Sequence, residues 1–196
     1  MVIYLDTETT GLRPGKICQL SYVLEDAFGI KAKNFYFKVD YIEPSASAVH
    51  GLTKEKLLIL SNGRTFKDNA FEIYSDFSNA GLIISHNTSF DFSFLREEFD
   101  CVGVLFNPIN SFCSMKSAVS VCRLKRTNSN GYKYPKLSEL TAFLGITDKE
   151  ILLTTQTIFG SKCGYHDARF DTTAVYLACL KTRQLFTEFK NINDYI

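Results

Sequence analysis

The first twelve residues carry the feature that most constrains this chain, an apolar run that stops at two acids. Positions 2–5 are typical of a buried β-strand, and they lead directly into Asp6 and Glu8 before Gly11 ends the segment. Side chains alternate across a strand, so the two carboxylates project to the same face. The nearest basic residue, Arg13, leaves them without a neighbouring counter-charge. The segment therefore predicts either a divalent-metal site at a strand end or two acids in a solvated turn.

Length and composition indicate a globular protein. A chain of 196 residues suits one domain, residues 1–196, with a sizeable core. A net charge of +1 argues against extensive wrapping of nucleic acid, but it suits an enzyme that grips a few nucleotides. No apolar run approaches the roughly 20 residues of a membrane span, so no membrane segment is predicted. Six scattered cysteines without a C-x-x-C pair argue against zinc and predict a reducing, cytoplasmic compartment.

Hydrophobic periodicity predicts an α/β fold. Strand-like runs cover residues 2–39 as a three-stranded meander, and Pro44 is expected to break the chain after its last strand. Helices are expected after the N-cap Thr53, over residues 65–77, from about residue 90, over residues 137–146 and from about residue 167. Residues 81–85 are a short apolar run typical of a buried strand. This order favours a mixed sheet covered by helices on both faces.

Two further segments place polar residues where they could join the first pair of acids. His86 to Asp91 follow the predicted strand of residues 81–85, and His166 to Asp171 begin the last helix. Metal-assisted phosphoryl transfer needs oxygen ligands from several segments and a base that works near neutral pH. From the residues alone, Asp91 and Asp171 could equally be solvated acids at helix starts. Asp100 could take the place of Asp91 as a ligand, and Asp167 could take the place of Asp171.

Together these segments resemble a known family. Residues 6–12 (DTETTGL), 86–91 (HNTSFD) and 166–171 (HDARFD) look like the three motifs of the DEDDh, or DnaQ-like, 3′-to-5′ exonucleases. Residues 49–53 (VHGLT) and the helix ending in Leu-Gly-Ile at 144–146 agree with the same pattern. Three motifs in the family's order are far more specific than any one of them.

The resemblance implies a fold, a cofactor and a set of catalytic residues. The fold is RNase H-like, with a five-stranded mixed sheet flanked by helices. Two Mg²⁺ or Mn²⁺ ions are implied at the sheet edge. Asp6 would touch both ions, Glu8 and Asp171 would hold the one that activates water, and Asp91 would hold the second. His166 would then remove the proton from that water.

The resemblance also implies residues around the terminal nucleotide. They are Thr9, Thr10, Gly11, Leu12, His50, Asn87 and Phe90; simple turns and packing are the alternative for each. His86 is interpreted as structural. The implied activity is release of nucleoside 5′-monophosphates from single-stranded DNA 3′ ends, with proofreading beside a DNA polymerase or a sliding clamp. The alternatives are an RNA-trimming exoribonuclease and a binding module without catalysis.

The stretch from Cys101 to Ser138 contains no acid while lysines and arginines accumulate. Its centre, residues 127–131, has the composition of a loop. One hypothesis is a solvated surface segment. The other is an arm that guides a nucleic-acid strand through Arg123, Lys125 and Arg126.

Overall fold

A computed structural model describes residues 1–13, 15–127 and 129–196, and a five-stranded sheet lies at its centre. The strands are β1 (Val2–Thr9), β2 (Ile17–Asp26), β3 (Gly29–Tyr36), β4 (Leu82–Ser85) and β5 (Ser111–Cys113). Their order is β3-β2-β1-β4-β5, so β1 lies in the middle. The first three strands form an antiparallel meander, whereas β4 runs parallel to both β1 and β5. The predicted α/β fold with a five-stranded mixed sheet is therefore confirmed.

Helices cover both faces of this sheet. They are α1 (Pro44–His50), α2 (Lys54–Leu60), α3 (Phe66–Ser78), α4 (Thr88–Asp100), α5 (Ser114–Cys122), α6 (Leu137–Phe143), α7 (Asp148–Phe159), α8 (Ala168–Leu185) and α9 (Thr187–Lys190), followed by a 3₁₀ turn, Asn191–Tyr195. Among the described residues, no helix combines the length and apolar character needed to cross a bilayer.

Strand β1 separates two hydrophobic cores, because its side chains alternate between the faces of the sheet. Val2 and Tyr4 pack into the core formed with α5 to α8. Ile3 and Leu5 pack into the core formed with α3 and α4. This alternation continues past the apolar run, so it decides which helix layer each polar residue at the end of β1 faces.

Local signals explain most of the predicted elements. Thr53 caps α2 by accepting a hydrogen bond from the Lys56 amide, as expected. Helix α3 falls within the predicted range and buries Phe66 and Ile73 against the sheet. A tight hairpin pairs Gly29 with Asp26 and joins β2 to β3 within the predicted meander.

Several elements depart from the prediction or were missing from it, among them α1, α7 and β5. Pro44 begins α1 instead of breaking the chain, because proline at the first helical position gives up an amide that has no partner there anyway. Helix α7 was not predicted, although Thr147 caps it and left-handed Gly160 ends it. Strand β5 has three residues and carries too little periodicity to be found.

Candidate active site

Three carboxylates from two distant segments meet at the end of β1. Asp6 and Glu8 lie on the same face of the strand, two residues apart, and Asp171 lies in the first turn of α8 on that side of the sheet. One carboxylate oxygen from each of the three lies within 4.8 Å of the others. The antiparallel neighbour β2 supports this geometry by pairing with β1 as far as Thr9.

Asp91 reaches the same place from the opposite face. It is buried in the first turn of α4, and its Oδ1 accepts a hydrogen bond of 2.8 Å from the hydroxyl of Thr7. Thr7 alternates with Asp6 and Glu8 along β1, so it points toward the α4 layer. Asp91 is not part of the tight group of three, but its charge raises the pKa of Asp6.

Burial raises the pKa of all four acids, and repulsion from the other carboxylates adds to this for Asp6 and Glu8. Burial raises the pKa of Asp6 well above its ordinary value, and the charges of Asp171, Asp91 and Glu8 raise it further. Burial, followed by the charges of Asp171, Asp167 and Asp91, raises the pKa of Glu8 to about 9. Burial raises the pKa of Asp91 to about 6, while the hydrogen bond from Thr7 opposes that shift. Burial likewise raises the pKa of Asp171 to about 6, and the nearby His166 charge lowers it in part.

This donor set fits divalent cations with hard oxygen ligands. Among the described residues, no Lys or Arg forms an ion pair with any of the four carboxylates. Crowded carboxylates without a basic partner are costly unless they are protonated or bound to metal. All the contributed ligand atoms are oxygen, which suits Mg²⁺ or Mn²⁺ better than a soft metal.

His166 is the imidazole nearest to Asp171 in sequence, and its charge acts on that carboxylate. It is exposed, it precedes α8, and its backbone is left-handed with φ of 55°. Its charge acts on both Asp171 and His50, so His166 is near both side chains.

Asp167 is occupied by structural contacts, which separates it from Asp171. It caps α8, and its Oδ2 accepts a hydrogen bond of 2.6 Å from Arg169 Nη2. Its Oδ1 also accepts from Gln19 on β2. These donors hold the pKa of Asp167 below its ordinary value although burial alone would raise it. The other rival acid, Asp100, is exposed at the end of α4.

A cleft of about 290 Å³ opens beside the carboxylates. Glu8 lines it, as do five of the residues that the resemblance assigns to substrate: Thr9, Gly11, Leu12, His50 and Phe90. Leu12 and Val49 are strongly exposed at its rim. Ser45 and Ala46 of α1 complete the wall; sequence analysis missed them because α1 itself was not predicted.

His50 is held in one tautomer within this wall. Its Nδ1 accepts a hydrogen bond from the Leu52 amide at 3.1 Å, so Nε2 carries the proton and donates to the Thr9 carbonyl at 3.2 Å. Burial lowers the pKa of His50, and the charge of His166 lowers it further, while the bond to Thr9 acts in the opposite direction. His50 is therefore a neutral side chain that ties α1 to the end of β1.

The remaining motif residues do not line the cleft. Thr10 exchanges hydrogen bonds with Lys16 across the turn, and Asn87 precedes α4 with a left-handed backbone. His86 is largely buried, with its ring nitrogens 3.0 Å from Ser114 Oγ and 2.9 Å from the Pro135 carbonyl oxygen.

Several known proteins resemble this chain. DNA polymerase III subunit epsilon of Buchnera aphidicola is 32% identical over 132 residues, covering 62% of this chain and 55% of that protein. The Escherichia coli protein of the same name is 31% identical over 131 residues, covering 62% and 52%. The chain thus spans about half the length of the curated relatives it matches. The Thermus thermophilus RuvC structure aligns over 95% of this chain and 96% of that one, with a TM-score of 0.34 and 13% identity.

The RNase_T family model, described as an exonuclease, matches residues 3–151. The match includes Asp6, Glu8 and Asp91 and covers well over half of the chain. The family membership predicted from the motifs is therefore confirmed, and the chain belongs to the RNase_T exonuclease family.

Proposed function

We propose that this protein is a metal-dependent 3′-to-5′ exonuclease of the DEDDh type that releases nucleoside 5′-monophosphates from single-stranded DNA. The convergence of Asp6, Glu8 and Asp171 within 4.8 Å, beside Asp91 and an open cleft, carries the proposal. Family membership supports nuclease chemistry. The names of the epsilon subunits support DNA as the substrate and a DNA polymerase as a partner. We extend the proposed exonuclease domain over residues 1–196.

Two divalent cations, Mg²⁺ or Mn²⁺, would supply charge neutralisation and stabilise the attacking and leaving oxygens of an in-line displacement. Asp6, Glu8 and Asp171 would hold one cation, and Asp6 and Asp91 the other. The lack of basic partners supports this role, since binding relieves the repulsion that raises the carboxylate pKa values.

Side chains of the protein would then transfer the proton and bind the terminal nucleotide. His166 accepts the proton from the attacking water, for which an exposed imidazole beside Asp171 is suitable. Leu12, Val49 and Phe90 offer apolar surface to the terminal base.

The test is degradation of matched DNA and RNA oligonucleotides that carry a 5′ fluorophore, with Mg²⁺ or with chelator. A 3′-to-5′ enzyme gives a ladder of labelled products that shorten stepwise, whereas attack from the 5′ end releases the label at once. We expect the ladder with DNA and none with chelator. Equal or faster degradation of RNA would favour the exoribonuclease alternative, and a chelator-insensitive ladder would contradict the metal site.

The His166→Asn variant tests the base. Asparagine tolerates a left-handed backbone but cannot accept the proton near neutral pH, so kcat is expected to fall by about 100-fold or more. Lys162→Gln is the matched control, because it removes an exposed side chain from the same loop. A full rate in His166→Asn, or an equal loss in the control, would contradict the role of His166.

A further inference from the structure

Two depressions run along α5, outside the cleft, and they share Lys116 and Ser117. The first, of about 520 Å³, extends from Ser89 at the start of α4 past Arg96 to Lys116. The second, of about 790 Å³, continues from Lys116 to Arg123 and Tyr132. We call the two together the α5 groove. The shared residues make it one continuous surface.

The charge of the α5 groove is strongly one-sided. Arg96, Lys116 and Arg123 are exposed along it, and none of them forms an ion pair within the described part of the chain. Glu188, at the far end, is the single acid among the described residues that line it. Glu188 offsets part of the charge of Arg123, but three cations face one acid along the groove. In a protein whose net charge is only +1, this excess of positive charge is a local attraction for a polyanion.

An aromatic ring stands at the end of this row of cations. Tyr132 is about two-fifths exposed and lines the groove beside Arg123. An antiparallel bridge to Lys125 holds its backbone, and the Lys133 amide donates to the Leu124 carbonyl at 2.8 Å. A partly exposed aromatic ring beside cations is the combination that binds the faces of unpaired bases next to their phosphates.

The α5 groove begins one side chain away from the cleft. Phe90 lines the cleft, and the preceding residue, Ser89, lines the groove. The first turn of α4 therefore separates the two depressions, with Asp91 on the same turn. A strand whose 3′ end occupied the cleft would have to cross only this turn to enter the groove.

We propose that the α5 groove binds the phosphodiester backbone of single-stranded nucleic acid a few nucleotides upstream of the 3′ end. This inference rests on the proposed function, which puts the terminal nucleotide in the cleft. Arg96, Lys116 and Arg123 contact phosphates, and Tyr132 stacks on an unpaired base. Duplex is excluded from the stacking contact because its base faces are hidden, so the groove favours single strands.

The first test measures binding rather than hydrolysis. The anisotropy of a labelled single strand of about ten nucleotides is followed in chelator at several salt concentrations. The variant R96Q/K116Q/R123Q is compared with the wild type and with the control K31Q/K67Q/K149Q, which removes three exposed lysines outside the groove. The salt slope of the groove variant should be shallower by about 2, since each lost single-strand phosphate contact removes about 0.7. Equal slopes in both variants would overturn the proposal.

Two further probes sharpen the result. Tyr132→Ala should weaken binding about fivefold or more without changing the salt slope, whereas Tyr134→Ala, at an exposed tyrosine outside the groove, should not. A polyglutamate peptide should not displace the strand at comparable charge. Displacement by the peptide, or equal effects of the two tyrosine variants, would overturn the assignment to nucleic acid.

Hydrolysis of a dinucleotide separates this inference from the proposed function. A dinucleotide is too short to reach the groove, so with Mg²⁺ the groove variant should cleave it at the wild-type rate. Loss of that cleavage in the groove variant would overturn the separation of groove from catalytic site. If no form of the protein cleaves it, while the groove variant still binds long strands weakly, the groove stands and the nuclease proposal fails.

Discussion

The hydroxyl of Thr7 donates a hydrogen bond of 2.8 Å to Asp91, joining β1 to α4 across 84 positions of the chain. Asp6 and Glu8 lie on the other face of β1, together with Asp171 of α8. Acids on both faces of the sheet therefore meet at the end of this strand. The bond opposes the burial that raises the Asp91 pKa, and it therefore helps to keep this carboxylate ionised.

Thr7→Val removes that bond while keeping the shape of the side chain. We expect the affinity for Mg²⁺ to fall by about 10- to 100-fold, as is usual when a partner of a metal ligand is lost. The dependence of nuclease rate on Mg²⁺ concentration measures this. Thr155→Val is the control, because Thr155 is also buried and hydrogen-bonded but lies in α7. Equal Mg²⁺ dependence in both variants would contradict the prediction.

The stability of the metal-free protein should fall as pH rises. In the unfolded chain the carboxyls titrate near pH 4, whereas folding raises the pKa of Asp91 and Asp171 to about 6 and of Glu8 to about 9. The folded state therefore binds more protons between these values, and the free energy of unfolding decreases from about pH 4 to about pH 9. Thermal melts in chelator measure the trend. A melting temperature that rises over this range would contradict the prediction.

Divalent metal should remove much of that pH dependence and raise the melting temperature. At about 100 times its Kd, a ligand of the folded state adds about 2.7 kcal/mol. For a chain of this size that corresponds to a shift of about 5–10 °C. The variant Asp6→Asn/Glu8→Gln should melt at a similar temperature with and without Mg²⁺. An unchanged melting curve of the wild type across millimolar Mg²⁺ would count against the site.

Asp6→Ala separates catalysis from folding. The carboxylate contributes nothing to the hydrophobic cores and repels its neighbours, so the variant should fold with equal or higher stability. Nuclease activity should fall by about a thousandfold or more, because several kcal/mol of transition-state stabilisation depend on the metal site. Asp100→Ala is the matched control at an exposed acid of α4. Normal degradation by Asp6→Ala would refute the role of Asp6.

His86→Ala should act on stability and not on chemistry. The ring connects Ser114 with the Pro135 carbonyl, and although Ser114 keeps its bond to the Ser85 carbonyl, removal of the ring leaves the carbonyl of buried Pro135 without this partner, at a cost of about 1–3 kcal/mol. Urea unfolding measures the loss. The kcat of the folded variant should stay within a few-fold of the wild type, and a loss as large as that of His166→Asn would show that His86 takes part in catalysis.

Periodicity and capping made much of the fold predictable. Alternation in β1 placed Asp6 and Glu8 on one face, and this depends on the strand alone. The convergence with Asp171 was anticipated through the resemblance and not through spacing. Asp167 could not be excluded from the sequence, because its engagement by Arg169 and Gln19 exists only after β2 packs against the start of α8.

Other parts of the site depend on contacts between distant residues. The wall formed by Ser45 and Ala46 was missed because Pro44 was interpreted as a break and not as a helix start. The sequence shows that the stretch from Cys101 to Ser138 contains bases and no acid, but Arg96 lies outside that stretch. That side chain joins Lys116 only because α4 and α5 both border the same depression.

The backbone at His166 adopts the left-handed conformation, which glycine reaches with less strain than any larger residue. An imidazole is kept there against a local conformational penalty of about 1 kcal/mol or more. Stability alone would not select histidine at this position. If His166 is the proton acceptor proposed above, the loop before α8 gives up some stability of the folded state in order to keep an exposed imidazole at this position, which is the trade-off between stability and activity expected of a catalytic group.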